Sequence, residues 1–408
     1  MRAFKKLKPV FLSDGRLVSF ESPTRKTVWN NFELSADAPP TAKNSSGIYA
    51  VFDPTDAQLD EYSGIVVELD AHGIVVIGET GLRAERARII SWDEAELAYY
   101  YARRFGSSDA TRAAACMSPK WAYKYALTID RAPRDDTRAA ACRDAQTAYM
   151  YARYVDYAPR DDTRAAACTD AEQAYLYAYD IDRAPRDDTR AAACKSPEYA
   201  YLYALHVDRA ARDDTRAAAC GDAKTAYWYA RDADREPRDD TRAAACMNAE
   251  TAYLYALNVD RAPHSATRAA ACVDAEHAYL YAQDLDRAPR DDTRAAACRN
   301  AKQAYAYACY IDRRAHDDTR AAACEDAEHA YWYAHDVDNA PRDDTRAAAC
   351  RDAKTAYLYA LNVDRKPHND TRAAACKSPK FACLYARDID KVPRDDTRAA
   401  ACTDAEQA

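Results

Sequence analysis

The string TRAAAC recurs every 26 residues, ending at Cys116, Cys142, Cys168, Cys194, Cys220, Cys246, Cys272, Cys298, Cys324, Cys350, Cys376 and Cys402 without a slip. No other feature of the chain restricts its fold as strongly. A short repeat cannot bury its own apolar face. It must stack on copies of itself, which makes a solenoid with a continuous core. The expected fold is therefore mainly α, a right-handed α-solenoid of about eleven helix-pair repeats of 26 residues, preceded by a small mostly β (α+β) domain.

Glycine and cysteine mark the division. Six of eight glycines lie before residue 90, and all fourteen cysteines lie after it. The expected parts are a small domain over residues 1–90, a degenerate capping helix over 91–108, and the array over 109–408 with its last repeat truncated. After Cys402 the chain reads TDAEQA and stops where the next tyrosine-rich helix is due, so a fragment of a longer chain is expected. Eleven full repeats and one partial repeat follow Asp109.

Charge narrows the partners. The formal net charge is −8, shared equally between residues 1–96 and the longer remainder. Nucleic-acid binding wants a basic excess, so nucleic acid is not the expected partner. No apolar run approaches the roughly 18 residues of a membrane span. The start MRAFKKLKPVFLSDG lacks a signal-peptide core and cleavage site, so no membrane association and a cytoplasmic location are expected. The cysteine rows are expected to be small buried thiols beside alanines. Equivalent positions on stacked helices sit about 8–10 Å apart, beyond the roughly 7 Å reach of a disulfide.

In residues 1–90, GIVVELDAHGIVVIGE at 64–79 has two β-branched runs around the turn-forming cluster Asp70, Ala71, His72 and Gly73, which predicts a hairpin. GIYAVF at 47–52 predicts another strand, and LRAERARII at 82–90 a short helix or a closing strand. Gly78-Glu79-Thr80-Gly81 is not a phosphate loop, because no Gly-Lys-Ser/Thr follows. Arg83, Arg86 and Arg88 with Glu85 form a charged surface or, less simply, an anion or partner patch. RAFK at 2–5, GIYAVFDP at 47–54, the hairpin and GLRAERARI at 81–89 together resemble a small N-terminal domain of uncharacterised phage and bacterial proteins. That resemblance implies a phage or bacterial origin and no established activity.

Within the repeat at residues 134–159, positions that change but keep their chemistry are the most informative. Position 135 is Asp, Ser or Asn in every copy, including Ser265 and Asn369, whereas position 136 becomes Ala at Ala110 and Ala266. Asp135 is therefore the expected N-cap of a first helix over about 136–142, with position 136 adding charge that suits the helix dipole. Asp144 is likewise Asp, Asn or Ser in all twelve copies, among them Asn248. Ser118, Ser196 and Ser378 each precede a proline, the sign of an N-cap followed by N1. The second helix is expected over about 145–155, with Asp156 and Pro159 ending it. At 100° per residue, Ala145, Ala148, Tyr149, Tyr151, Ala152 and Val155 share one nearly invariant arc, the expected stacking face. Gln146, Thr147, Met150, Arg153 and Tyr154 share the variable arc.

The tyrosine rows of 149 and 151 suit core packing with hydroxyls on polar partners; base stacking is the competing use. Arg138 and Asp156, unchanged in all copies, suit a salt-bridge ladder between repeats. The row through Met150 stands apart, because it lies on the variable arc yet is apolar in ten of eleven copies. Met150, Leu176, Leu202, Trp228, Leu254, Leu280, Trp332, Leu358 and Leu384 are its candidate partner-binding members, with Trp228 and Trp332 the best anchors. Burial of the helix on both sides by solenoid curvature would explain the same row.

The plan of Asp135, Arg138, Ala139 to Cys142, Asp144 and Tyr149 to Asp156 resembles short helix-pair solenoids, in particular leucine-rich-variant repeats and related bacterial repeats near 24 residues. Those place leucines where this chain has tyrosines and alanines. The resemblance implies a fold more than a function.

The leading expectation is a non-enzymatic protein-interaction scaffold. The alternatives are self-assembly through the open C-terminal end, and an effector whose activity lies in residues 1–90 with the array as targeting arm. No catalytic, cofactor or metal site is expected: the eight histidines are scattered, and His329 and His335 stand six apart instead of four.

Overall fold

The computed structural model describes residues 2–11, 17–21, 33–35, 48–51, 65–77, 81–392 and 394–402. The segments 12–16, 22–32, 36–47, 52–64, 78–80 and 403–408, with residues 1 and 393, lie outside them. The loop expectations between the strands, the phosphate-loop question at 78–80 and the start of a truncated helix after Cys402 fall there. The chain divides into two compact halves, Met1–Ala193 and Cys194–Ala408.

The N-terminal part is a six-stranded sheet of antiparallel pairs: β1 (Arg2–Phe11), β2 (Leu17–Glu21), β3 (Glu33–Ser35), β4 (Ile48–Val51), β5 (Ile65–Ile77) and β6 (Gly81–Trp92). Strand β5 pairs with β1 on one side and β6 on the other. Alternation places Val67, Leu69 and Ala71 of β5 against Leu82, Ala84 and Ala87 of β6 in one core with Ala3 and Leu7 of β1. LRAERARII is thus the closing strand. The expected hairpin turn at Asp70 to Gly73 is wrong: that cluster lies inside one 13-residue strand, where the ladder only shifts register between His72 and Val75. Pairing with β6 through Asp70, Ala71 and His72, and with β1 as far as Asp70, overrides the turn-prone composition. His72 is exposed.

Helix α1 (Glu94–Phe105) follows, capped by Asp93 and closed by Gly106 at φ 101°. From Asp109 onward the helix-pair plan repeats, giving 24 helices among the described residues with α1 included. In the repeat at 134–159 the first helix is Asp135–Ala141 and the second is Ala145–Tyr151. The second helix runs on into a π-helical turn, Ala152–Asp156. The turn closes with bonds to the carbonyl five residues back, as from Arg235 N to Ala230 O at 2.9 Å. A π turn holds more residues than an α turn. Asp156 therefore follows Val155 onto the inner side, where its carboxylate is fully buried. The next residue is left-handed in all eleven repeats, at Tyr157 with φ 51° and at Arg183 with φ 51°. This αL residue costs about 1–2 kcal/mol when it carries a side chain. At Arg183 the cost is offset in part by a bond from Nε to the Asp180 carbonyl, 3.3 Å.

The second-helix caps sit where expected. Asp144 accepts from Thr147 N at 2.9 Å and Asn248 from Thr251 N at 3.1 Å, while Ser196 is the N-cap before Pro197. The first-helix caps are shifted by one. Asp135, Ser265 and Asn369 occupy the first helical position, and Arg134, His264 and His368 hold the extended N-cap backbone. Position 135 is used instead to hold the buried arginine: Asp135 Oδ1 accepts from Arg138 Nη1 at 2.8 Å, and Asn369 Oδ1 from Arg372 at 3.0 Å. The Arg134 N–H is satisfied from the second helix, by the Tyr151 hydroxyl at 3.0 Å.

Candidate functional site

The second helix carries three side-chain layers, and their order follows from the residue types. Innermost is the row of Tyr151, fully buried in every repeat from Tyr125 to Tyr385. Each phenol has a partner, as a buried hydroxyl requires. Tyr151 lies 2.8 Å from the Thr137 hydroxyl, and its ring faces the Arg138 guanidinium at 5.9 Å. Beside it, Arg138 donates from Nε and Nη2 to Asp156 at 3.1 Å. The pair therefore closes a single repeat, not the gap between repeats that the sequence suggested. Arg160 of the next repeat reaches the same carboxylate less closely, at 3.5 Å. In the equivalent pair, hydrogen bonding to Asp234 raises the Arg216 guanidinium above its ordinary value, against the opposing effect of burial.

The middle layer joins neighbouring repeats. Tyr149 donates to Asp180 of the next repeat, and Tyr253 donates to Asp284 at 2.6 Å. Arg153 also contacts Asp180. Burial, then the bond to the carboxylate, pushes Tyr149 up to about 12. This row went unread in the sequence although the signal was present. Position 154 is Asp in every second repeat, at Asp180, Asp232, Asp284, Asp336 and Asp388; Tyr154, His206, Asn258, Tyr310 and Asn362 alternate with them. Thr147, assigned to the variable arc, is also buried, as are Gln173, Thr225 and Thr251. The Thr251 hydroxyl donates to the Ala245 carbonyl at 2.6 Å, which ties the second helix to the first.

The outer layer is the Met150 row. Met150, Leu176, Leu202, Trp228, Leu254, Leu280, Leu358 and Leu384 are half-buried, and Trp332 is 37% exposed. Met150 packs against the core clusters on both sides of it, one containing Tyr123 and Tyr151, the other Tyr149 and Tyr177. Leu358 does the same farther along. Met150 and Leu358 thus each span a seam between repeats with one side and face outward with the other. Trp228 carries Lys224 over its ring at 4.9 Å, and Trp332 meets His335 edge-on at 6.1 Å.

The cysteines are free, and all but exposed Cys402 are half-buried. Burial pushes the Cys142 thiol up to about 11, which keeps it protonated and unreactive near neutrality. Among the described residues, no group of three His, Cys, Asp or Glu is placed to hold a metal ion. Nor is any described helix long and apolar enough to cross a membrane. Comparison of the chain with protein-family models, curated proteins and solved structures returns no match.

Proposed function

We propose that the chain is a non-enzymatic scaffold of phage or bacterial origin, working in the cytoplasm, which presents the Met150 row to a protein partner. The observation that carries this reading is the repeated half-exposure of a large apolar side chain, from Met150 through Trp332 to Leu384. A solenoid needs apolar side chains between its helices, and the tyrosine and alanine rows already fill that space. An additional outward row of Leu, Met and Trp supplies the apolar strip that protein interfaces use. Its aromatic members have the character of anchors: Trp228 and Trp332 are large and partly desolvated.

The test is capture from a nuclease-treated bacterial lysate on the full chain and on the Trp228→Ala/Trp332→Ala variant. Loss of a specific, nuclease-resistant protein from the variant, with its helical circular dichroism retained, is the expected result. Equal capture by both chains refutes the strip.

A further inference from the structure

The π turns of three successive repeats border a cavity of about 690 Å³, with Leu205 on the first, Asp232 on the second and Val259 on the third. That volume falls within the roughly 300–1,000 Å³ of small-ligand sites. Leu205, Ala230 and Val259 give the lining its apolar part, beside three guanidinium groups and two carboxylates. Most of the lining comes from the stretch Ala230 to Pro237, which departs from the other repeats. Ala233 stands where the ten others carry Val, Ile or Leu, and Glu236 is the only acid at its position.

The charges of the lining are unevenly used. Asp232 is saturated: Oδ1 accepts from Arg231 Nε at 2.6 Å, and Oδ2 accepts from Arg231 Nη2 and from the Tyr201 hydroxyl, each at 2.8 Å. Glu236 accepts from Arg238 Nη2 at 2.6 Å, and Arg238 is not part of the lining. Arg235 and Arg261 are left over. Arg235 closes its own helix end, with its N–H on the Ala230 carbonyl at 2.9 Å and its Nε on the Asp232 carbonyl at 3.3 Å. Its Nη groups, and the whole guanidinium of Arg261, have no hydrogen bond or ion pair among the described residues. The two residues occupy the same left-handed position in successive repeats, at φ 58° and 53°. A guanidinium with open Nη groups is matched to carboxylate and phosphate oxygens, which it binds by charge-assisted bonds. We propose that this cavity binds a compact organic oxyanion, a carboxylate or phosphate on a small apolar body, with Arg235 and Arg261 on the charged group. The site stands whether or not a partner uses the Met150 row.

Arg261→Asn is the decisive variant. Arg261 holds nothing else in the fold, and Asn339 already occupies the same left-handed position elsewhere in the array, at φ 50°. Calorimetric titration of the full chain at low ionic strength, where exposed charges are least screened, takes phenyl phosphate and benzoate as probes and phenol as the neutral control. The expected result is one saturable site per chain for at least one of the two anions and none for phenol at the same concentrations. Arg261→Asn should weaken that site about tenfold or more. Glu236→Gln should tighten it, because a like charge leaves the lining. Absence of saturable binding by both anions overturns the proposal, as does phenol binding equally well. Several equal sites per chain also overturn it, since they would follow the arginine row and not the cavity. Unchanged affinity in Arg261→Asn does the same.

Discussion

The hydroxyl of Tyr151 lies 2.8 Å from that of Thr137, and both side chains are fully buried. The contact is more than packing. The same phenol accepts the Arg134 N–H, the backbone donor that starts the first helix, so the second helix caps the first through one oxygen. Removing that oxygen leaves the Arg134 N–H without its acceptor, while the Thr137 hydroxyl keeps only the Arg134 carbonyl, 3.1 Å away. Tyr255→Phe, which strips the equivalent contacts to Thr241 and Arg238, should cost about 1–3 kcal/mol. Tyr157→Phe, at a 79% exposed position, should cost nothing measurable. Urea midpoints for the two variants check this.

The Arg346–Asp364 pair joins the first helix to the π turn at 2.8 Å with both residues buried. Removing one member strands the other charge in a site that water does not reach. Asp364→Ala should therefore destabilise by about 3 kcal/mol or more, whereas Arg346→Met with Asp364→Leu should recover much of that loss. Comparing the two by chemical denaturation distinguishes a stranded charge from a lost attraction.

These two contacts also show how far the sequence can be read. Period, helix pairing and second-helix starts were legible because each leaves a residue-type signature: the TRAAAC string, Ser-Pro at Ser196, Asn at Asn248. The π turn was not. It is a change of hydrogen-bond register, and Val155 stays buried in either register. The cap at Arg134 was missed for a related reason: its donor is satisfied by Tyr151, seventeen residues away, and no local pattern announces a cap supplied from another helix. In the sheet, Asp70 to Gly73 has the composition of a turn, and only pairing with β6 through His72, with β1 reaching as far as Asp70, makes it a strand. For the outer face, the apolar Met150 row was visible. The Asp180 row was equally regular but carries a two-repeat period, and comparing single repeats averages it away.

The cysteines should be nearly inert in the folded chain. Burial raises Cys142, Cys220 and Cys324 to about 11, so little thiolate exists at pH 7.5. Iodoacetamide should label exposed Cys402 first and the half-buried rows slowly, with full labelling only in denaturant. Peptide mass spectrometry over a time course measures the order. Rapid native labelling at Cys220 would contradict the packing described.

Stability should fall at both extremes of pH. Bonds from Thr225 hold Asp222 below its ordinary value, and bonding to Arg231 does so for Asp232. A carboxyl depressed in the folded state stabilises above its unfolded value, near 3.8, and that contribution disappears as the pH falls below it. The phenols act in the opposite direction. Burial raises Tyr149, Tyr201 and Tyr357 to about 12 from 10.0, so the unfolded chain loses those protons first. Their contribution is complete below pH 10 and is lost between 10 and 12. The thiols add to this loss from pH 9 upward, since burial raises Cys142 from 9.0 to about 11. Thermal melts followed by circular dichroism should therefore show a plateau between about pH 5 and 9 with a fall on either side. Tyr149→Phe combined with Tyr201→Phe and Tyr357→Phe should make the alkaline fall shallower. An unchanged alkaline limb in that variant would place the loss elsewhere in the fold.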